Sequence, residues 1–233
     1  MKNITIIITI AIACVAFCSC QKINGNGDIK TETININEPF CEVVNETQFD
    51  IEVIFSNERK TIITAESNII ECLSFKAKGN KLVIKKDKAK YRLRNTEHVT
   101  ITIYMNGNDY LYFRNNGSGD LTIESPLSKK ILFENSGSGD IFAYDTENEA
   151  VEIKSSGSGD IVISGVAGEV LINDSGSGDI DCYNLTAQYV EIHYSGSGRV
   201  EAYATDAIDI WDNGSGEIFA YGTERIRSHY REE

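Results

Sequence analysis

From Leu111 onward, apolar residues come in pairs two positions apart, and the pairs return at steps of 18 to 20 residues. Leu111/Phe113, Ile131/Phe133, Val151/Ile153, Val170/Ile172, Val190/Ile192 and Ile208/Ile210 stand six and four residues ahead of a Gly-Ser-Gly triplet, at 117–119, 137–139, 157–159, 176–178, 196–198 and 214–216. After the triplet comes Asp120, Asp140, Asp160, Asp179, Arg199 or Glu217, then an aliphatic residue, and two further on Ile123, Ala143, Ile163, Cys182, Ala202 or Ala220. Alternation with a period of two marks strands buried on one face. The glycine density and β-branched content exclude helix. A unit of about 20 residues cannot cover its own apolar face, whereas units stacked about 4.8 Å apart bury it as a continuous ladder. The prediction is an all-β, single-stranded, right-handed parallel β-helix, the hand being that of most β crossovers. Six Gly-Ser-Gly-Asp rungs would span about 29 Å. A propeller blade needs about 40 residues and fits worse.

Residues 28–110 also read as β, without the glycine corner. Candidate strands are Thr31–Ile36, Gln48–Phe55, Thr61–Thr64, Lys81–Lys85 and Val99–Met105, with turns at Gly79-Asn80 and Asn106-Gly107. At about 20 residues per rung this stretch makes about four irregular coils. Nothing in composition separates the halves, so one solenoid over 28–222 is expected, irregular over 28–110 and regular over 111–222. A short tether, 21–27, precedes it, and a charged cap or tail, 223–233, follows.

Residues 1–20 read as an export leader. After Lys2, the unbroken apolar, small and Thr stretch Ile4–Phe17 is too short for a bilayer span, which needs about 20 residues. It ends Phe17-Cys18-Ser19-Cys20 before the polar Gln21-Lys22. A small residue before a cysteine resembles a lipoprotein processing site, with Cys20 the lipidated residue. Cys18, after the bulky Phe17, fits less well, and an ordinary cleaved leader is the plainer alternative. Two or more acyl chains on Cys20, at about 0.8 kcal/mol per buried CH₂, would give stable anchoring. The expected location is the outer membrane, on its periplasmic or cell-surface face. The other cysteines of the processed chain, Cys41, Cys72 and Cys182, leave open one Cys41–Cys72 bridge or three buried thiols.

The serial corners, with Phe49-Asp-Ile-Glu-Val-Ile-Phe, Lys81-Leu-Val-Ile-Lys, Val99-Thr-Ile-Thr-Ile-Tyr and Gly117-Ser-Gly-Asp in that order, resemble the head GIN domain family of putative autotransporter adhesins. The resemblance covers roughly residues 28–222. It implies a right-handed β-helix on an exported bacterial lipoprotein and supplies no catalytic residues. Arg199 and Glu217 depart from the Asp corner.

Net charge is −13 over 233 residues, which argues against a nucleic-acid partner. With three His scattered at 98, 193 and 229, a zinc site has little to draw on, and no cofactor is expected. The corner motif has a structural reading: Gly supplies positive φ, while Ser and Asp cap the turn locally. A weaker alternative is calcium on an aligned ladder of Asp120, Asp140, Asp160 and Asp179, although calcium-binding β-rolls use a shorter repeat. Tyr144, Tyr183, Tyr203 and Tyr221 fall four positions past the corner residue, on the face opposite the core, with Phe142 and Phe219 beside them. They either pack on one another or form a platform for a glycan or a surface protein. The basic run from Lys76 to Arg94 reads as a solvated face or an edge guard, or as a dock for anionic polysaccharide or headgroups. A polysaccharide-active enzyme is the least favoured function, since the chain has no His-Gly or Arg-x-Lys motif. The leading reading is a non-catalytic, adhesin-like module held to a membrane by lipid. A periplasmic scaffold without an external ligand is the alternative.

Overall fold

The structure is a computed structural model that describes residues 21–88, 91–94, 96 and 99–230. The predicted leader, with Cys18 and Cys20, lies outside the described residues, as do Lys90 and His98. Strand makes up 67% and helix 2%, arranged as a β-solenoid of about six turns. The helix among the described residues is the single turn Ser67–Ile70, and none is long and apolar enough to cross a membrane.

Each regular rung has two walls joined at the Gly-Ser-Gly corner. The wall before the corner holds Tyr110–Asn115, Lys130–Asn135 and the second halves of Ile141–Ser155, Ile161–Asp174, Ile180–Tyr194 and Arg199–Asp212. The wall after it holds Leu121–Glu124, the first halves of those long strands and Glu217–Tyr221. All these pairings are parallel and in register with the repeat: Leu111, Ile131, Val151, Val170, Val190 and Ile208 form one buried column, and Leu121, Ile141, Ile161, Ile180 and Val200 form another. Phe113 and Phe133 stack at 6.0 Å inside. At a second corner Ser125, just past Leu121–Glu124, and Asp145 and Gly165, within the long strands, adopt φ of 47°, 53° and 131°, and the register of the long strands slips there.

The N-terminal part departs from four stacked coils. It supplies two. Phe40–Glu46 with Ile51–Phe55 makes one coil, and Asn80–Lys86 with Thr100–Met105 makes the other. The first is sandwiched: it pairs with the second coil on one side and with Tyr110–Asn115 and Leu121–Glu124 on the other. Stack order therefore differs from chain order. Three further strands run antiparallel. Leu73–Lys78 pairs with Asn80–Lys86, Lys60–Glu66 with Thr100–Met105, and Ile29–Asn35 with Lys60–Glu66. Alternation tells a strand which face to bury but not which neighbour to choose, so these caps were not legible as such. Leu73–Lys78 is an edge strand carrying Lys76 and Lys78, which matches the edge-guard reading of the basic run. The predicted tether begins with Gln21–Asn24, parallel to Tyr91–Arg94, and the predicted tail contributes Ile226–Tyr230 to the wall before the corner.

Candidate functional site

Sequence reasoning assigns the corner glycines to positive φ, and the structure corrects this. Among the described glycines, positive φ occurs at Gly27, Gly79, Gly165 and Gly222, none of them in a Gly-Ser-Gly triplet. Close approach is the real demand. A Cβ on Gly137 would sit 2.0 Å from the Gly117 carbonyl oxygen, and one on Gly159 would sit 2.1 Å from that of Gly139. Each corner lies directly on the preceding one.

The corner aspartates also act between rungs rather than within the turn. Asp50 Oδ1 accepts the Asp120 N–H at 2.9 Å, and the chain continues from Asp120 to Asp140, Asp140 to Asp160, Asp160 to Asp179 and Asp179 to Arg199 at 2.7–2.8 Å. One oxygen of each carboxylate is committed to a backbone N–H of the next rung. Burial pushes the Asp140 carboxyl up, the Asp160 N–H draws it down, and the flanking Asp120 and Asp160 charges raise it again. Among the described residues, no three His, Cys, Asp or Glu side chains converge as metal ligands.

A second ladder, inside the corner, escaped the sequence reading. The residue two ahead of each first glycine is buried in the first five rungs: Asn115, Asn135, Ser155, Asp174 and Tyr194. Asn115 Oδ1 accepts the Gly117 N–H while its Nδ2 donates to the Gly119 carbonyl at 2.9 Å, and Asn135 repeats this with Gly137 and Gly139. Tyr194 reaches the same kind of acceptor, donating to the Gly198 carbonyl at 2.6 Å. The changing residue type hid the column.

Asp174 keeps only half of this arrangement. Its Oδ1 accepts the Gly176 N–H at 2.8 Å, but its buried Oδ2 has no partner where Asn115 and Asn135 place a donor. Burial pushes its carboxyl up, offset in part by the Gly176 N–H and Ser155. The neutral form is therefore favoured by folding. Its contribution is full below the ordinary carboxylate range and is lost as pH rises through the raised value. Asp174→Asn should stabilise the protein at pH 7.5 by about 1–3 kcal/mol and change little at acid pH. Urea melts at both pH values check this, and an equal shift at both would remove the titration as the cause.

The predicted platform residues are only partly assembled. Tyr183, Tyr203 and Tyr221 form a cluster on the outer face of the wall after the corner. Tyr183 meets Tyr221 edge-on at 5.0 Å and Tyr203 at 6.4 Å. Tyr203 pairs in register with Tyr221, but Tyr183 sits in a bulge, and Thr186 takes the place opposite Tyr203. Tyr183 and Tyr221 remain 48% and 37% exposed. Tyr144 lies apart, stacked on Phe142 at 6.3 Å.

His193 and His229 are not scattered. They sandwich Trp211 on three successive strands of the opposite wall, with ring centroids 4.7 and 4.6 Å apart. Glu191 contacts His193 at 2.6 Å, and Arg227 contacts Asp209 at 2.6 Å. Cys41, Cys72 and Cys182 are thiols, so the Cys41–Cys72 bridge left open by sequence is not formed. Burial pushes Cys182 up.

Residues 39–223 match the family model described as putative auto-transporter adhesin, head GIN domain. The chain belongs to the head GIN domain family. A putative adhesin from Bacteroides fragilis NCTC 9343 is similar over 89% of this chain and 95% of its own, at 25% identity and a TM-score of 0.79. Two proteins of Parabacteroides distasonis ATCC 8503 share the fold. One is a putative adhesin, at 19% identity and TM-score 0.70 over 90% of this chain and 96% of its own. The other is a putative lipid binding protein, at 22% and 0.61 over 90% and 100%. No curated protein matches the chain. Membership in this adhesin-type head GIN family points to an exported protein of the envelope.

Proposed function

We propose that this head GIN protein is a non-catalytic binding module of the outer envelope, tethered through a lipid on Cys20. The observation that carries the binding reading is the exposure of large aromatic rings on the outer walls of the solenoid, the kind of patch that marks interaction sites. Tyr144, Tyr183, Tyr203 and Tyr221 are the residues read from sequence as contacts for a glycan or a surface protein. A lesser reading as a scaffold without an external ligand is favoured by the edge-to-face packing of Tyr183 on Tyr221.

Cys20→Ser should abolish fatty-acid labelling and move the protein to the soluble fraction. Labelling retained through Cys18 would displace the anchor. Protease shaving of intact cells should release the wild-type solenoid. Its complete resistance, with no binding on glycan or matrix-protein arrays, would favour the scaffold.

A further inference from the structure

We propose that the wall before the corner carries a groove for a neutral, β-linked oligosaccharide, lying along the solenoid axis between Tyr110 and Tyr189. The inference rests on the reading of the protein as a binding module and places the ligand on the opposite wall from the Tyr183 cluster.

One outward-facing row runs Tyr110, Lys130, Ala150, Glu169, Tyr189, Ala207, each residue in parallel register with the next. Ala150 leaves a gap in the middle of this row. A cavity of about 450 Å³ follows the row, with Leu171 also in its lining. The tyrosines at its two ends are four rungs apart, about 19 Å at the spacing of paired strands. They are 44% and 51% exposed, and among the described residues neither ring packs on another aromatic ring. No aromatic ring among the described residues covers them, whereas Tyr183 and Tyr221 pack edge-on against each other.

The chemistry of the groove selects the ligand class. Glu152, Glu169, Glu191 and Asp209 line it against one cation, Lys130. Three of these carboxylates are already held: Glu152 by Lys154 at 2.7 Å, Glu191 by His193 and Asp209 by Arg227, both at 2.6 Å. Fixed carboxylates accept hydrogen bonds from sugar hydroxyls in defined directions, while an acidic glycan would bring its charge against Glu169, which has no ion pair among the described residues. Burial, and next the Glu152 charge, push the Tyr110 phenol up, consistent with a ring lying over the groove beside Glu152. Sugar C–H faces pack on tyrosine rings as apolar surface does. The rise of one β-linked hexose is close to one rung, so a chain of about five residues places successive sugars over successive strands.

Full-length protein should be tested by calorimetry with cellohexaose, chitohexaose and hexagalacturonate. Wild type should bind at least one of the two neutral hexamers and not the acidic one. The double variant Tyr110→Ala/Tyr189→Ala should weaken binding at least tenfold. So should Ala150→Trp, which fills the gap while leaving both tyrosines in place; circular dichroism confirms that each variant is folded. The triple variant Tyr183→Ser/Tyr203→Ser/Tyr221→Ser should bind as wild type does. Neutral-glycan binding that survives both groove variants overturns the groove while leaving the binding module standing. Preference for hexagalacturonate overturns the ligand class. No binding to any of the three overturns the groove, and failure on glycan and protein arrays as well would take the binding module with it.

Discussion

Gly159→Ala should destabilise the protein by about 3 kcal/mol or more, at the upper end of what overpacking costs. The new methyl would meet the Gly139 carbonyl oxygen at 2.1 Å, the Gly139 carbonyl carbon at 2.7 Å and the Asn135 amide nitrogen at 2.9 Å. The first two are backbone atoms, and the third ends a buried side chain that is held by its bond to the Gly139 carbonyl. Relief requires two rungs to part, which stretches the Asp140-to-Asp160 bond and the Asn135 bond to the Asp160 carbonyl together. Ser158→Ala, on the same corner, is the matched control, since a surface change away from such features stays within about 0.5 kcal/mol. Gly79→Ala separates the two roles of glycine: nothing lies within 4 Å of its Cβ position, and its cost arises from φ of +60° alone. Chemical denaturation ranks the three. A Gly159→Ala variant within about 1 kcal/mol of wild type would mean that the corners tolerate a wider spacing than the structure gives them.

Ile163→Asp should have the largest effect of a single change in the core. Ile163 is 1% exposed and lies in parallel register with the buried Ala143. A carboxylate there would either ionise without a partner or take up a proton, and both cost several kcal/mol. Set against a total stability of about 5–15 kcal/mol, this abolishes cooperative folding or leaves a local melt of the adjoining rungs. Ile163→Val, which removes one methyl, should cost only about 0.5–1.5 kcal/mol. Hydrogen exchange across Ile141–Ser155 and Ile161–Asp174 would localise the damage. Undiminished protection in Ile163→Asp would place that side chain in solvent and reverse the inside-outside assignment of the wall.

The regular rungs were readable because one constraint repeats without exception. Every rung that lies on a preceding Gly-Ser-Gly corner needs glycine where its Cβ would strike it, so the spacing is written in the sequence. The coil of Phe40–Glu46 and Ile51–Phe55 shows the limit. Its corner, Thr47-Gln48-Phe49-Asp50, uses Asp50 as later rungs use their aspartates, yet it has no glycine. On its far side thirteen residues separate Asn80–Lys86 from Thr100–Met105, and Leu93 among them belongs to the same buried cluster as Phe49. Without a tight corner to lie against, side chains are tolerated and the motif disappears. The inner column of Asn115, Asn135, Ser155, Asp174 and Tyr194 was hidden differently. Several side chains can satisfy the same turn, so chemistry persists while residue type changes. The His193–Trp211–His229 stack has no local signal, since its members meet only once the rungs are superposed. The groove between Tyr110 and Tyr189 follows from the same superposition, its ends being 79 residues apart in the chain.

The sandwiched coil also determines how the molecule bears a pull. A load applied at Gln21 first strips Gln21–Asn24 from Tyr91–Arg94, then Ile29–Asn35 from Lys60–Glu66. It next reaches Phe40–Glu46, gripped on both sides by Asn80–Lys86 and Tyr110–Asn115. The link from Met105 to Tyr110 runs from one neighbouring coil to the other, so the two coils that grip Phe40–Glu46 are tied to each other by the chain itself. At the other extremity, Ile226–Tyr230 is held by Arg199–Asp212 alone and can peel strand by strand. Under tension the solenoid meets a clamp at one end and a zipper at the other, with the clamp at the end nearer the N-terminus.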